Sequence, residues 1–88
     1  MSRQEQVAAT IEAFVRKTFL IDGDDPEFSR TCDLFEEGFV DSMGLVKLLS
    51  FIEKEFGVTV EEEHLFDERF PTIQGESELI VELMGSTG

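Results

Sequence analysis

The chain has 88 residues, enough for one small domain with a single apolar core. Apolar residues make up 41% of it, which is too many for a disordered chain, and no stretch is long enough to predict insertion into a membrane. Its net charge of −13 makes nucleic acid and anionic membrane surfaces poor candidates as partners and favours basic patches on proteins.

The first predicted element is an amphipathic helix from Arg3 to Phe19. Its apolar positions recur at helical spacing on one face: Val7, Ile11, Phe14, Val15 and Thr18. The periodicity is lost from Leu20 to Asp41, where residues 22–26 combine Asp, Gly and Pro and favour turns. Four apolar residues predict that this long loop is anchored to a helical core: Phe28, Leu34, Phe35 and Phe39.

The second predicted helix, from Ser42 to Phe56, has the strongest pattern in the chain. Its apolar stripe consists of Leu45, Leu48, Leu49, Ile52 and Phe56. Asp41 or Ser42 is expected to be the N-cap, and Gly57 the residue that ends the helix. The opposite side of the helix carries Met43, Lys47, Ser50 and Lys54, with Val46 on its flank.

The remaining residues predict one short helix and one long helix. Residues 58–60 are expected to be extended without a partner strand, and the acidic segment that follows is expected to form a single helical turn before Pro71. Thr72 can cap a last helix, whose start Gly75 is expected to weaken. Its core positions are Ile73, Ile80 and Met84, with Leu79 and Leu83 beside them. The whole pattern predicts an all-α fold: a small four-helix bundle of three main helices and one short helix, with a long first loop.

The cysteine and the acidic loops do not predict a disulfide or a metal site. Cys32 is the only cysteine, so we expect a buried or half-buried thiol. A calcium loop that began at Asp22 would need glycine where Glu27 stands. One that began at Asp33 would need a bidentate glutamate where Gly44 stands. No signal peptide is visible, so we expect a cytoplasmic protein. The length of the chain favours a freestanding protein with one domain over residues 1–88, and we expect a monomer.

Ser42 lies where the long loop meets the second helix. The first N–H groups of a helix lack internal acceptors and the helix dipole is positive there, so a phosphodiester on Ser42 would be stabilised. A plain N-cap is the simpler interpretation of this serine. A catalytic serine is disfavoured, because Val40 stands where a Gly-x-Ser-x-Gly motif needs glycine and His64 is the only histidine.

The sequence Asp-Ser-Met at 41–43, with a helix that ends Ile-Glu-Lys-Glu-Phe-Gly, resembles the phosphopantetheine-attachment motif of acyl and peptidyl carrier proteins. The likeness extends to the Leu-Phe-Glu-Glu-Gly lead-in and the closing Phe-Pro-Thr-Ile run. It implies a 4′-phosphopantetheine arm on Ser42, transferred from coenzyme A by a phosphopantetheinyl transferase, with Asp41 as the motif neighbour. It also implies a carrier that performs no catalysis itself. An adenylating ligase or acyltransferase would load an acyl or aminoacyl thioester, and a downstream synthase or transferase would receive it.

The resemblance implies that partner enzymes dock on the second helix. By position, Met43 would take this role, with Val46, Lys47 and Ser50 alongside. Fatty-acid carriers typically have an acidic second helix, whereas Lys47 and Gly44 occupy positions that are often acidic there.

This departure disfavours docking to the enzymes of fatty-acid synthesis. The Phe-Glu-Glu-Gly-Phe-Val-Asp-Ser-Met-Gly and Leu-Phe-Asp-Glu-Arg-Phe-Pro-Thr-Ile stretches look closer to carriers of specialised pathways. D-alanyl carriers and the discrete carriers of polyketide or nonribosomal synthesis fit equally well, and the sequence does not choose between them. An unmodified, acidic helical interaction module is the alternative, and it would tolerate Ser42→Ala in partner binding.

Overall fold

The structure is a computed structural model that describes residues 2–86; Met1, Thr87 and Gly88 lie outside the described residues. Four helices follow one another along the chain: α1 (Arg3–Thr18), α2 (Ser42–Phe56), α3 (Glu62–Leu65) and α4 (Ile73–Ser86). Residues 2–86 contain no β-strand. The predicted all-α bundle of three main helices and one short helix is therefore confirmed.

α1 begins after Ser2, whose Oγ accepts a hydrogen bond of 3.1 Å from the backbone N–H of Glu5. The helix buries four small or branched apolar residues: Val7, Ala8, Ile11 and Val15. It ends one residue before the predicted end, because Phe19 has left the helical conformation. Leu20 then takes a left-handed conformation with φ of 55°, and the N–H of Ile21 donates to the carbonyl of Arg16.

The loop from residue 20 to residue 41 contributes to the core instead of covering it loosely. Phe28, Leu34 and Val40 are buried in the same cluster as the apolar faces of α1, α2 and α4. The backbone ties the loop to the start of α4: the N–H of Leu34 donates to the carbonyl of Pro71 at 2.9 Å. These contacts confirm the prediction of a long loop that is anchored by its apolar residues.

α1 and α4 pack against each other. Arg30, in the long loop, pairs with Glu5 and Glu12 of α1 at 2.8 and 2.7 Å. The carbonyl of Arg30 accepts a hydrogen bond of 2.8 Å from the N–H of Gln74 in the first turn of α4. The Arg30 guanidinium, through its hydrogen bond, is the main cause that lowers the pKa of Glu12.

α2 is followed by a tight, irregular connection. Gly57 has φ of 66°, a left-handed conformation that glycine adopts at low cost, and its N–H donates to the carbonyl of Glu53. Residues 58–60 are not paired as a strand, and Val58 is buried. α3 is a single turn in which Nδ1 of His64 accepts a hydrogen bond of 2.9 Å from the N–H of Glu61. The predicted lack of a partner strand and the predicted single helical turn are therefore confirmed.

The start of α4 departs from what the sequence suggested. Oγ1 of Thr72 accepts a hydrogen bond of 2.9 Å from the N–H of Gly75, as a capping threonine should. Gly75 is buried, and a Cβ atom there would lie 2.0 Å from the carbonyl oxygen of Arg69. From the sequence, Gly75 was expected only to weaken the start of the helix. The structure shows a second role: without a Cβ atom, Gly75 lets the start of α4 approach the backbone of Arg69 closely.

Two polar side chains are buried in α4 that sequence analysis did not place in the core. Ser77 donates its hydroxyl to the carbonyl of Gln74 at 2.6 Å. Glu76 is 1% exposed, and neither carboxyl oxygen has a hydrogen-bond partner among the residues described. Burial raises the pKa of Glu76 well above its usual value, because the charged form loses its hydration.

Candidate functional site

The segment that leads to Ser42 is fixed by its own backbone hydrogen bonds. Oδ1 of Asp33 accepts from the N–H groups of Phe35 and Glu36 at 3.0 and 2.9 Å. The N–H of Val40 donates to the carbonyl of Leu34 at 3.0 Å, and both of these side chains are buried. The buried side chains of Leu34 and Val40 therefore fix the loop directly before residue 41, which lies at the surface.

Asp41, and not Ser42, is the N-cap of α2. Its Oδ1 accepts a hydrogen bond of 2.8 Å from the N–H of Gly44, and its carbonyl accepts one of 2.8 Å from the N–H of Leu45. Ser42 is therefore the first residue of α2 and is exposed. Its hydroxyl makes no hydrogen bond within residues 2–86, which leaves Oγ accessible to an enzyme.

The first turn of α2 has the electrostatic character that a phosphodiester needs. The N–H groups of Ser42 and Met43 lie where a helix offers no internal acceptor, and the helix dipole is positive at this end. No acidic residue lies within the first turn itself. The carboxylate of Asp41 is adjacent, but it already accepts the N–H of Gly44. An exposed hydroxyl beside these groups fits a covalently attached phosphopantetheine.

An aromatic contact holds this turn against the end of α1. A Cβ atom on Gly44 would lie 2.6 Å from Cε1 of Phe19 and 3.2 Å from Cγ1 of Val40. The missing side chain thus leaves room for the Phe19 ring beside the helix that carries Ser42. Sequence analysis noted Gly44 only as the absence of an acidic residue, whereas in the structure it is a packing contact.

The outer face of α2 points away from the core, as predicted. Met43 is 74% exposed, Val46 is 64% exposed, and Lys47 and Ser50 are exposed as well. Leu48 and Ile52 are buried on the opposite side. The predicted orientation is therefore confirmed, and the role of these four side chains in partner recognition stays a prediction.

Two phenylalanine rings bridge α1 and α2 beside this face. Phe14 and Phe51 stack with their centroids 4.0 Å apart and their planes 14° from parallel. Each also meets a second ring edge-on: Phe14 contacts Phe19, and Phe51 contacts Phe56. Phe14 was predicted to lie on the core face of α1; in the structure it is half-buried.

An open groove of about 440 Å³ lies between the two helices, and we call it the α1–α2 groove. The residues that line it are Phe14, Thr18, Val46, Lys47, Ser50, Phe51 and Lys54. Phe14 and Phe51 also line a neighbouring groove of about 550 Å³, to which Lys17 and Glu55 contribute. Three of the predicted recognition residues, Val46, Lys47 and Ser50, thus come together in one groove, whereas Met43 does not line it.

Sequence analysis missed Phe51 and the part of α1 that faces it. A signal was available, because Phe51 follows Lys47 by four residues and precedes Lys54 by three, which places all three on one helical face. No comparable pattern points from α2 to Phe14, because that contact depends on how the helices pack.

Among the described residues, His64 makes no hydrogen bond to Ser42. Its Nδ1 accepts the N–H of Glu61 and so stabilises the turn of α3. Cys32 is half-buried and unpaired, as predicted. In the part of the chain that the structure describes, no three His, Cys, Asp or Glu side chains group as a metal ion would require.

This is a small all-α domain whose second helix is capped by Asp41 and begins with an exposed serine, a combination typical of a carrier domain. The chain belongs to the phosphopantetheine attachment site family, whose model matches residues 9–80. Members of this family bear a covalently attached 4′-phosphopantetheine and work with phosphopantetheinyl transferases and other enzymes. The resemblance to acyl and peptidyl carriers is thereby confirmed. No curated protein matches the chain. None of the helices within residues 2–86 is long and apolar enough to cross a membrane.

Proposed function

We propose that Ser42 is the residue that carries the 4′-phosphopantetheine arm of this carrier protein, with Asp41 as its motif neighbour. The observation that carries the proposal is the exposed hydroxyl of Ser42 at the first turn of α2, inside the region that matches the family. In the attachment step, Ser42 Oγ forms a new P–O bond to the phosphopantetheine phosphate of coenzyme A. The P–O bond of the pyrophosphate bridge breaks, adenosine 3′,5′-bisphosphate leaves, and the serine proton passes to the transferase.

The chain's own residues then have a supporting role and catalyse no reaction. Asp41 caps α2 and keeps the first turn in place, and the free N–H groups of that turn face an anion at Ser42. The thiol of the arm, once attached, holds an acyl or aminoacyl cargo as a thioester. Tethering makes delivery to each enzyme effectively intramolecular, which raises the local concentration of the cargo.

We further propose that residues 1–88 form one carrier domain, which acts in the cytoplasm as a monomer in a specialised pathway of polyketide, nonribosomal or D-alanyl type. An adenylating ligase or acyltransferase loads it, and a downstream synthase or transferase receives the cargo. Exposed Met43 and Val46, with Lys47 and Ser50, support a docking surface on α2. Lys47 and the absence of acidic residues from the first turn argue against the enzymes of fatty-acid synthesis as partners.

The test is the intact mass of the protein after incubation with coenzyme A and a broad-specificity phosphopantetheinyl transferase. The parent chain should gain one phosphopantetheine, and Ser42→Ala should gain none. Ser29→Ala is the matched control, because it removes an exposed serine that lies outside the proposed docking surface and should still be modified. Modification of the Ser42→Ala protein would show that the assigned residue is wrong.

The second candidate is an unmodified interaction module, which the net charge of −13 favours in part, since strong charge also suits electrostatic docking. It predicts no mass gain with a transferase from the source organism and unchanged partner binding by Ser42→Ala.

A further inference from the structure

The basic residues of this acidic chain fall into two groups, those that form ion pairs and those that do not. Three of its seven basic residues, Arg16, Arg30 and Arg69, form ion pairs with carboxylates. Four have no ion pair among the described residues: Arg3, Lys17, Lys47 and Lys54. Of these four, Lys47 and Lys54 line the α1–α2 groove, and Lys17 lines the neighbouring one.

The α1–α2 groove combines this charge with exposed apolar surface. Phe14, Val46 and Phe51 supply its apolar lining, and Val46 is 64% exposed. Asp and Glu are absent from its lining, although the chain has 20 of them. A groove of this kind is electrostatically suited to an apolar side chain that is flanked by carboxylates.

We propose that the α1–α2 groove is the docking site for a partner enzyme that inserts an apolar side chain beside Phe51 and presents carboxylates to Lys47 and Lys54. The proposal deepens the proposed function, since it names the chemistry of the surface that meets the carrier. It assigns the docking site to α1 as well as to α2, and it makes Lys47 and Lys54 the residues that determine specificity.

The charge pattern gives selectivity more than it gives affinity. Exposed ion pairs contribute little to binding, because water and salt screen the charges. A partner that places basic groups against Lys47 and Lys54 meets like charges without compensation, which disfavours that pairing. The partner's basic groups belong instead opposite the acidic loops, at residues 22–37 and 61–68. The carrier therefore selects a mixed surface, acidic at the groove and basic around it.

The test uses two synthetic helical peptides as probes, each with the same central Phe and Leu. One carries Glu and the other carries Lys at the flanking positions. Each is titrated into the ¹⁵N-labelled full chain, before and after loading of the arm. We expect the Glu peptide to shift the amide signals of Phe14, Val46 and Phe51, and to bind there about fivefold more tightly than the Lys peptide.

Single charge reversals isolate the lysines. Lys47→Glu and Lys54→Glu should each weaken the Glu peptide by about threefold to tenfold, whereas Arg3→Glu should change its Kd by less than about twofold. Arg3→Glu is the matched control, because it changes the net charge equally and lies outside both grooves.

Several results would overturn the proposal. Equal or tighter groove binding of the Lys peptide would do so, as would a Kd for the Glu peptide that Lys47→Glu and Lys54→Glu leave unchanged. Absence of groove shifts with either peptide at millimolar concentration would also contradict it. Shifts of Phe14 and Phe51 on raising the protein concentration alone would make a second copy the occupant.

The peptide titration tests the docking proposal and the mass measurement tests the carrier proposal, so the two proposals can fail independently. If the chain accepts no arm but the Glu peptide binds the groove through the lysines, the carrier proposal fails and the groove stands. If Ser42 is modified but the lysines have no effect on peptide binding, only the docking chemistry is wrong.

Discussion

The outer face of α2 and the buried start of α4 (residues 73–80) place charge in opposite settings. On α2, Lys47 lies on the surface, where water hydrates its charge in the folded chain, so folding carries no desolvation cost for this residue. In α4, Glu76 lies in the interior with no partner among the residues described, and its carboxyl group has lost its hydration.

The two helices also differ in what a buried glycine faces. Gly44 faces side-chain atoms at the outer edge of the Phe19 ring, whereas Gly75 faces the backbone of Arg69, which cannot move without disturbing the turn before α4. Substitutions on the outer face of α2 should therefore alter binding more than stability, and substitutions at the start of α4 should do the reverse.

The sharpest test of this contrast is Gly75→Ala. A Cβ atom 2.0 Å from the Arg69 carbonyl oxygen forces a backbone shift, so we expect the free energy of unfolding to fall by about 2–4 kcal/mol. Urea denaturation at pH 7 measures the loss. Gly85→Ala is the matched control in the same helix: its Cβ would have no neighbour within 4 Å, and it should add up to about 1 kcal/mol. Equal effects of the two substitutions would show that the close approach is unimportant.

Glu76→Leu should change stability in the opposite direction. Replacing an unpartnered buried carboxyl group with an apolar side chain of similar size should raise the free energy of unfolding by about 1–3 kcal/mol at pH 7. Glu76→Gln, which cannot ionise but stays polar, is expected to gain less. A loss of stability in Glu76→Leu would indicate that the carboxyl group has a stabilising partner.

The gain from Glu76→Leu should depend on pH. Because the folded-state pKa of Glu76 is raised, the contribution of Glu76 to stability is fully present below the usual glutamate value of 4.5 and is lost as the pH rises through the raised pKa. Between that value and the raised pKa, the difference should grow by up to about 1.4 kcal/mol per pH unit. The lowered pKa of Glu12 makes its contribution to stability fall at low pH instead. Glu12 is present in both the parent chain and Glu76→Leu, so its contribution cancels in the difference between them. Urea curves at pH 4 and pH 7 measure the change, and a difference independent of pH would contradict it.

Leu20→Gly is expected to have a smaller effect. Leu20 holds a left-handed conformation, with φ of 55°, at the end of α1, and its side chain is 88% exposed, so it loses little contact on replacement. Relief of the backbone strain, less the extra chain entropy of glycine, should raise the free energy of unfolding by about 1 kcal/mol. Thermal denaturation checks the shift. Leu20→Ala keeps the strain and should change little; equal gains in both would exclude strain as the cause.

The smallest stability effects should come from the outer face of α2. Val46→Ser and Lys47→Glu should each change the free energy of unfolding by less than about 0.5 kcal/mol, because both side chains are exposed. Leu48→Ala, in the same helix but buried, should cost about 2–5 kcal/mol. Urea denaturation of the three variants measures the contrast. A large loss in Val46→Ser would mean that the α1–α2 groove supports the fold as well as docking.

The sequence by itself determined the elements whose signals are local. α2 begins and ends at the predicted residues, since Asp41, Gly57 and the apolar stripe are all read from neighbours along the chain. The exposure of Met43 and Lys47 follows from the same helical period. The position of Ser42 at the head of this helix was predictable for the same reason.

Tertiary structure alone decided the contacts between segments that are distant in sequence. Phe14 and Phe51 meet because α1 and α2 approach each other at that point, and Gly75 is needed because the chain before α4 folds back onto it. The burial of Glu76 has the same origin: helical spacing places it beside Ile73 and Ile80, but only packing decides how wide the buried face becomes. Local periodicity carries no information on such approaches, since they depend on the summed burial of several elements at once.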